Sequence, residues 1–186
     1  MKTFVRGIQS EDVEAVINDS PDDQRKGFYK RSGLQDSRIN SLKYTLIGDF
    51  LPQGSEEADL FVPAYASKSS NRFFVPLVMP DRITAIPSNT GTRVNPVVIN
   101  ESFIDRDTMN FSIPAGFEIE FKPQPQLIDS KFGNYSLRVD ISDDRLVCIR
   151  SFSIYENRYT AAEYADFIAF LKKVSKADRT KAVLKG

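Results

Sequence analysis

The sequence predicts a mainly β, α+β fold: an antiparallel β-sandwich with an N-terminal helical lead and a C-terminal helix packed on the sheet. Three observations carry this. From Ser37 to about Tyr159, β-branched and aromatic residues recur with period two and are interrupted by proline and glycine. Residues 10 to 32 carry two sets of helix start and stop signals. Near the end, Tyr164, Phe167, Ile168, Leu171 and Val174 form one apolar stripe at helical spacing. The chain accordingly divides into a helical lead over 1–37 and a sandwich with its terminal helix over 38–186.

In the lead, Ser10 is positioned to cap a short helix. Glu11 and Asp12 lie in its first turn, where the helix dipole favours carboxylates, and Val13, Val16 and Ile17 supply an apolar face. Ser20 is a second cap, with Pro21 at the first helical position and Gly33 as the stop after Arg31. Within the sandwich, Leu42, Tyr44 and Leu46 share one strand face, and so do Tyr135, Leu137, Val139 and Ile141. The turn Ser142-Asp143-Asp144-Arg145 joins that second strand to Leu146–Tyr155 as a hairpin. Other strands are expected over 58–66, 71–79, 93–99, 103–113 and 117–122. Pro63, Pro76, Pro96, Pro114, Pro123 and Pro125 place strand ends or sheet edges, because proline donates no ladder hydrogen bond. Thr160 and Glu163 form a capping box ahead of the last helix.

Composition excludes several kinds of function. The 186 residues hold 25 basic and 25 acidic side chains, one cysteine, no histidine and no tryptophan. Zero formal net charge supplies no field to recruit nucleic acid. No run approaches 18 uncharged apolar residues, so no membrane insertion is expected. The lack of histidine removes imidazole bases, Ser-His-Asp and Cys-His nucleophiles and His-ligated zinc. Cys148 shares a strand face with Leu146, Phe152 and Ile154 and reads as a buried structural thiol.

The carboxylate pairs Glu118 and Glu120, Asp105 and Asp107, and Asp143 and Asp144 read as solvated strand faces and a turn. A glycosidase would need two acids opposed across a cleft. Asp105-Arg106-Asp107 and the Asp140–Asp144 stretch lack the glycine and terminal glutamate of a calcium loop. No catalytic, metal or cofactor residue is therefore assigned. The basic tail (Lys172, Lys173, Lys176, Arg179, Lys181 and Lys185) reads as the C-terminal end of a helix, whose dipole favours cations, and has no interleaved aromatic to stack on bases. Phe73 and Phe74 are adjacent, so one ring faces outward unless both strand faces are covered; with Tyr155 they are the candidate interaction residues. Arg150 interrupts an apolar strand and would be costly inside unless paired. Asp140 and Glu120 are its candidate partners in a structural ion pair.

From Arg93 to Leu184 the chain carries an ordered series: R-V-N-P-V, I-P-A-G-F-E-I-E, S-K-F-G-N-Y-S-L, L-V-C-I-R-S-F-S-I, A-A-E-Y-A-D-F-I-A-F and D-R-T-K-A-V-L. The series resembles the C-terminal β domain, of unknown function, that comes after the papain-like core in bacterial transglutaminase-like proteins. That family's catalytic cysteine, histidine and aspartate belong to the upstream core, so Cys148 does not inherit the nucleophile's role. The resemblance implies a non-catalytic accessory domain that docks on the upstream core of a longer parent or on another protein. It also implies a periplasmic or secreted location if the chain is excised from an envelope protein. The alternative is an envelope glycan- or peptide-binding β-sandwich module. A covered docking face would show as exposed apolar surface on the isolated chain.

Overall fold

The computed structural model describes residues 1–7, 9–34, 36–48, 53–79, 82–88, 93–142 and 144–186. In chain order its elements are β1 (Lys2–Gly7), α1 (Gln9–Ile17), α2 (Pro21–Ser32), β2 (Arg38–Ile47), β3 (Gln53–Phe61), β4 (Ser67–Ser69), β5 (Arg72–Pro76), β6 (Val97–Ile99), β7 (Phe103–Ser112), β8 (Glu118–Phe121), β9 (Gln126–Ser130), β10 (Gly133–Ser142), β11 (Arg145–Ile154), β12 (Asn157–Tyr159), α3 (Tyr164–Asp178) and β13 (Lys181–Lys185). A seven-stranded antiparallel sheet runs β2-β3-β1-β7-β11-β10-β9, a four-stranded sheet runs β4-β5-β13-β8, and β6 pairs with β12. The architecture is the expected sandwich type, and α3 and the smaller sheet share a core with one face of the larger sheet.

That face is divided between two sets of cover. Leu137, Val139, Leu146, Cys148 and Phe152 from β10 and β11 pack with Phe170, Leu171, Val174 and Ala177 of α3 and Ala182 of β13. Phe28 of α2 packs instead with Ile39 and Ala58 of β2 and β3. α1 lies over the same end of the sheet: a Cβ at Gly54 of β3 would stand 2.6 Å from a methyl of Val13. Glycine is therefore what lets helix and strand approach so closely. In β2 a bulge between Ile39 and Ser41 shifts the alternation by one residue, so Ile39 and Tyr44 are both buried.

Local signals explain most boundaries. The Ser20 side chain accepts from the Asp23 N–H, and Gly33 closes α2 in the left-handed conformation, with φ 69°. β10 and β11 pair along their whole length, from Gly133↔Ile154 to Ser142↔Arg145. Asp143, expected at the crown of that turn, lies outside the described residues. The Glu163 carboxylate accepts from the Thr160 backbone N–H at 2.6 Å and from its hydroxyl at 2.8 Å, ahead of α3.

Four expectations need correction. Ser10 lies inside α1, which begins at Gln9. The strand expected over 58–66 spans Gln53–Phe61, and its Leu60 and Phe61 end short of Pro63. The lead is not wholly helical, because Lys2–Gly7 forms β1 in the interior of the large sheet. Lys181 and Lys185 are not a helix end: they lie in β13, between β5 and β8. These two terminal strands are five or six residues long, too short for periodicity to declare them, and neighbouring strands supply their stability.

Lys131 first, and then the Thr160 hydroxyl and N–H, hold the Glu163 carboxyl down at about 2. A carboxylate depressed by folding stabilises the native state above its ordinary pKa of 4.5 and loses that contribution as the pH falls toward about 2. Glu163→Gln is expected to make acid unfolding, followed by circular dichroism between these limits, less steep in pH. An unchanged acid transition would remove this cap from the account of α3.

Candidate functional site

Two features are candidates: a sealed cluster of charges and an open groove. The cluster arises where charged residues occupy core-facing positions. On β7, Asp105 and Asp107 alternate in phase with Met109 and Phe111, and both aspartates are buried rather than solvated as the sequence suggested. On β11, Arg150 is in phase with Leu146, Cys148 and Phe152. Asp107 and Arg150 are cross-strand neighbours and are both 0% exposed.

The Arg150 guanidinium donates from NH1 to Asp107 Oδ2 at 2.9 Å. It donates from Nε and NH2 to the two carboxylate oxygens of Asp178, at 2.9 and 3.3 Å. Asp178 belongs to the last turn of α3 and also accepts from the Tyr135 hydroxyl at 2.9 Å and from the Ile83 backbone N–H at 3.0 Å. Thr3 of β1 donates to Asp107 at 2.7 Å. The rings of Tyr135 and Phe152 flank the guanidinium, 5.6 and 5.5 Å from it.

Arg150 therefore pairs with Asp107 and Asp178, not with the candidates Asp140 and Glu120. Asp140 is on the opposite face of β10 and pairs with Arg138 at 2.9 Å. Glu120 is on an exposed face of the other sheet, where it accepts from Arg72 at 2.6 Å. The overlooked signal was positional. Asp107 stands in the apolar phase of its strand, and Asp178 comes after Leu171 and Val174 on the buried stripe of α3.

Burial opposes the charge on Arg150, but the combined attraction of Asp178 and Asp107 outweighs it and holds the guanidinium ionised. Burial, followed by the Asp178 charge, keeps the Tyr135 phenol protonated well above its ordinary range. Beside the cluster, burial and then Asp107 push the Cys148 thiol up to about 12. None of these groups reaches solvent, so the cluster acts as an internal fastener, not as a set of acids and bases for a substrate. Among the described residues, no group of three or more His, Cys, Asp or Glu could hold a metal ion.

The open feature is a groove of about 490 Å³ lined by Met1, residues 58–62 at and just beyond the end of β3, residues 109–112 of β7, Tyr65 and Met79. Tyr65 stacks on Phe111, with centroids 5.9 Å apart, and closes the core side. Phe61, 56% exposed, stands at the rim under the Arg38 guanidinium.

The candidate interaction residues do not converge on this groove. Phe73 packs edge-on against Phe117 at 5.2 Å and beneath Lys68. Phe74 is half-buried in the same strand, β5. Tyr155 lies just past β11 in the other sheet and donates to Asn134. No described helix is long and apolar enough to cross a membrane.

A family model described as a Domain of Unknown Function with solved-structure structure (DUF3858) matches residues 70–184. The crystal structure of "a putative protease" from Parabacteroides distasonis ATCC 8503 overlaps with a TM-score of 0.48 at 17% identity, over 61% of this chain and 23% of that one. No curated protein matches the sequence.

Removing one member of the cluster strands a buried charge. Asp178→Ala is expected to cost about 3–5 kcal/mol, while exchanging all three members for apolar side chains of similar volume recovers most of it. Urea unfolding midpoints at constant m-value measure both. Cys148 is expected to react with an aromatic disulfide reagent only as the chain unfolds, and fast labelling of the native protein at pH 8 would contradict its burial.

Proposed function

The chain belongs to the DUF3858 family of domains, and from that premise we propose that it is a non-catalytic accessory domain that docks on a catalytic core or partner protein. The core fitting this reading is the papain-like one of transglutaminase-like proteins. The ordered series running from Arg93 to Leu184, on which that resemblance rests, lies wholly within the family match at residues 70–184. On the same reading the parent is a periplasmic or secreted protein, and the domain positions or shields the core.

The observation that carries the proposal is the contrast between the two candidate sites. Reactive groups are concentrated where nothing can reach them, and the open groove offers mainly apolar side chains, with Asp59 as its one acidic side chain. Such a lining suits recognition of a polypeptide more than proton transfer, because general acid–base work requires titratable groups facing the reacting atoms. Exposed Phe61, Val94 and Leu127 add apolar surface in three separate parts of the chain.

Calorimetric titration of the chain into a transglutaminase-like core produced without its own C-terminal domain tests the proposal. Saturable association is expected. Phe61→Glu, at a rim position that tolerates charge in the isolated fold, is expected to weaken it by about tenfold or more. Absence of heat up to high micromolar core would overturn the docking reading.

A further inference from the structure

We propose that the outer face of the four-stranded sheet is a docking surface, and that its occupant is an amphipathic helix of the partner protein with carboxylates along one flank. This rests on the docking reading above and adds a face and an occupant to it. Alternation in β5 and β13 builds the face. Val75 and Ala182 are opposite one another and buried, so Phe74 and Val183, also opposite one another, are turned away from the core. On the far side of β13 the register slips at Glu120, with Leu184 opposite Ile119 but Val183 opposite Phe121. That bulge brings Phe121 to the outer face, where it is 52% exposed. Phe74, Val183 and Phe121 thus form an apolar row across three strands. A sheet face left to solvent carries polar side chains, whereas three successive cross-strand neighbours are apolar here.

The charges beside the row are uneven. On one side Lys185 is opposite Arg72 and Glu118, and Arg72 reaches across β13 to donate to Glu120 at 2.6 Å. Two cations there meet two carboxylates. On the other side Lys181 is exposed opposite Pro76 and has no carboxylate within ion-pair distance among the described residues. Lys122, next to Phe121, adds a second cation and donates to the Val139 carbonyl at 3.0 Å. The row therefore has one neutral and one cationic flank, and its electrostatic complement is an apolar stripe with acids along one side.

Geometry selects a helix. Backbone groups of a sheet are paired within the sheet, so a segment lying on its face must satisfy its own backbone hydrogen bonds. Two interstrand spacings separate Phe74 from Phe121, roughly 10 Å. Residues i and i+7 of a helix span about the same distance, with i+3 or i+4 above Val183. Three strands by five residues cover roughly 250 Å², well short of the about 800 Å² per partner that a stable dimer buries, so a second copy of the chain is the poorer occupant. Lys185 apart, the three strands lie within the family match at residues 70–184.

Two helical peptides of 18 residues probe the face in an NMR titration of the full chain. Both carry leucine at i, i+4 and i+7, and they differ only in having glutamate or lysine along one flank. The glutamate peptide is expected to shift the Phe74, Phe121 and Val183 amides saturably and to bind about fivefold or more tighter than the lysine peptide at low salt. Phe121→Glu is expected to abolish the response. Lys181→Glu, at an exposed position, is expected to remove the advantage of the glutamate peptide while the same amides still respond. Equal binding of both peptides to the native chain, shifts that map elsewhere, or a preference unaltered by Lys181→Glu overturns the proposal. So does a dimer in sedimentation velocity that Phe121→Glu dissociates, because the occupant is then a second copy. If the core associates equally with the native chain and with Phe121→Glu, docking stands and this face falls. If the glutamate peptide binds here but the core does not bind the chain, the face stands and the choice of core falls.

Discussion

The fold depends on a buried guanidinium held between two carboxylates. Arg150 ties β11 to its neighbour β7 through Asp107 and to the end of α3 through Asp178. The network reaches β1 through Thr3, β10 through Tyr135 and the segment at Ile83 through its backbone N–H. An apolar core alone is tolerant of sliding and rotation, since hydrophobic contact is non-directional. A bidentate arginine pair is not, because its planar fork accepts a carboxylate in few orientations. The angle and depth at which α3 meets the sheet are therefore set at its last turn, immediately before the chain reverses through Arg179 and Thr180 into β13. The desolvation cost of such a group is high, and it is offset by the number of hydrogen bonds converging on Asp107 and Asp178.

The large sheet joins what the sequence separates. One continuous seven-stranded ladder passes beneath α1 and α2 at one end and beneath α3 and the small sheet at the other. β1 is the hinge of this arrangement: it is flanked by β3 and β7, contributes Thr3 to the charge cluster, and is preceded by Met1, which packs on both apolar clusters. The groove lies beside Met1, between the last residues of β3 and those of β7.

For function, the placement of chemical groups matters more than their inventory. Arg150, Asp107, Asp178, Tyr135 and Cys148 include residue types that serve in many active sites, yet burial and mutual pairing hold the guanidinium, the phenol and the thiol each in one protonation state. A fold shared by many functions assigns none of them by itself. Membership of the DUF3858 family likewise places the chain in a family of unknown function.

The sequence alone determined the features that local physics controls. The Ser20 and Gly33 boundaries of α2, the β10–β11 hairpin, the Thr160–Glu163 cap and the stripe of α3 each depend on residues within a few positions of one another. Burial of Cys148 and the anomaly of Arg150 were also legible, since both occupy a strand phase otherwise filled by Leu146 and Phe152. Tertiary structure decided which carboxylates answer Arg150, because Asp107 and Asp178 lie 43 and 28 residues away and are brought together only by sheet pairing and helix packing. It likewise decided that Lys2–Gly7 and Lys181–Lys185 are strands, since short terminal segments take their conformation from the ladders they complete. The groove belongs to the same category. Its lining comes from Met1, β3, β7, Tyr65 and Met79, which are distant in sequence and are brought together only in the assembled fold.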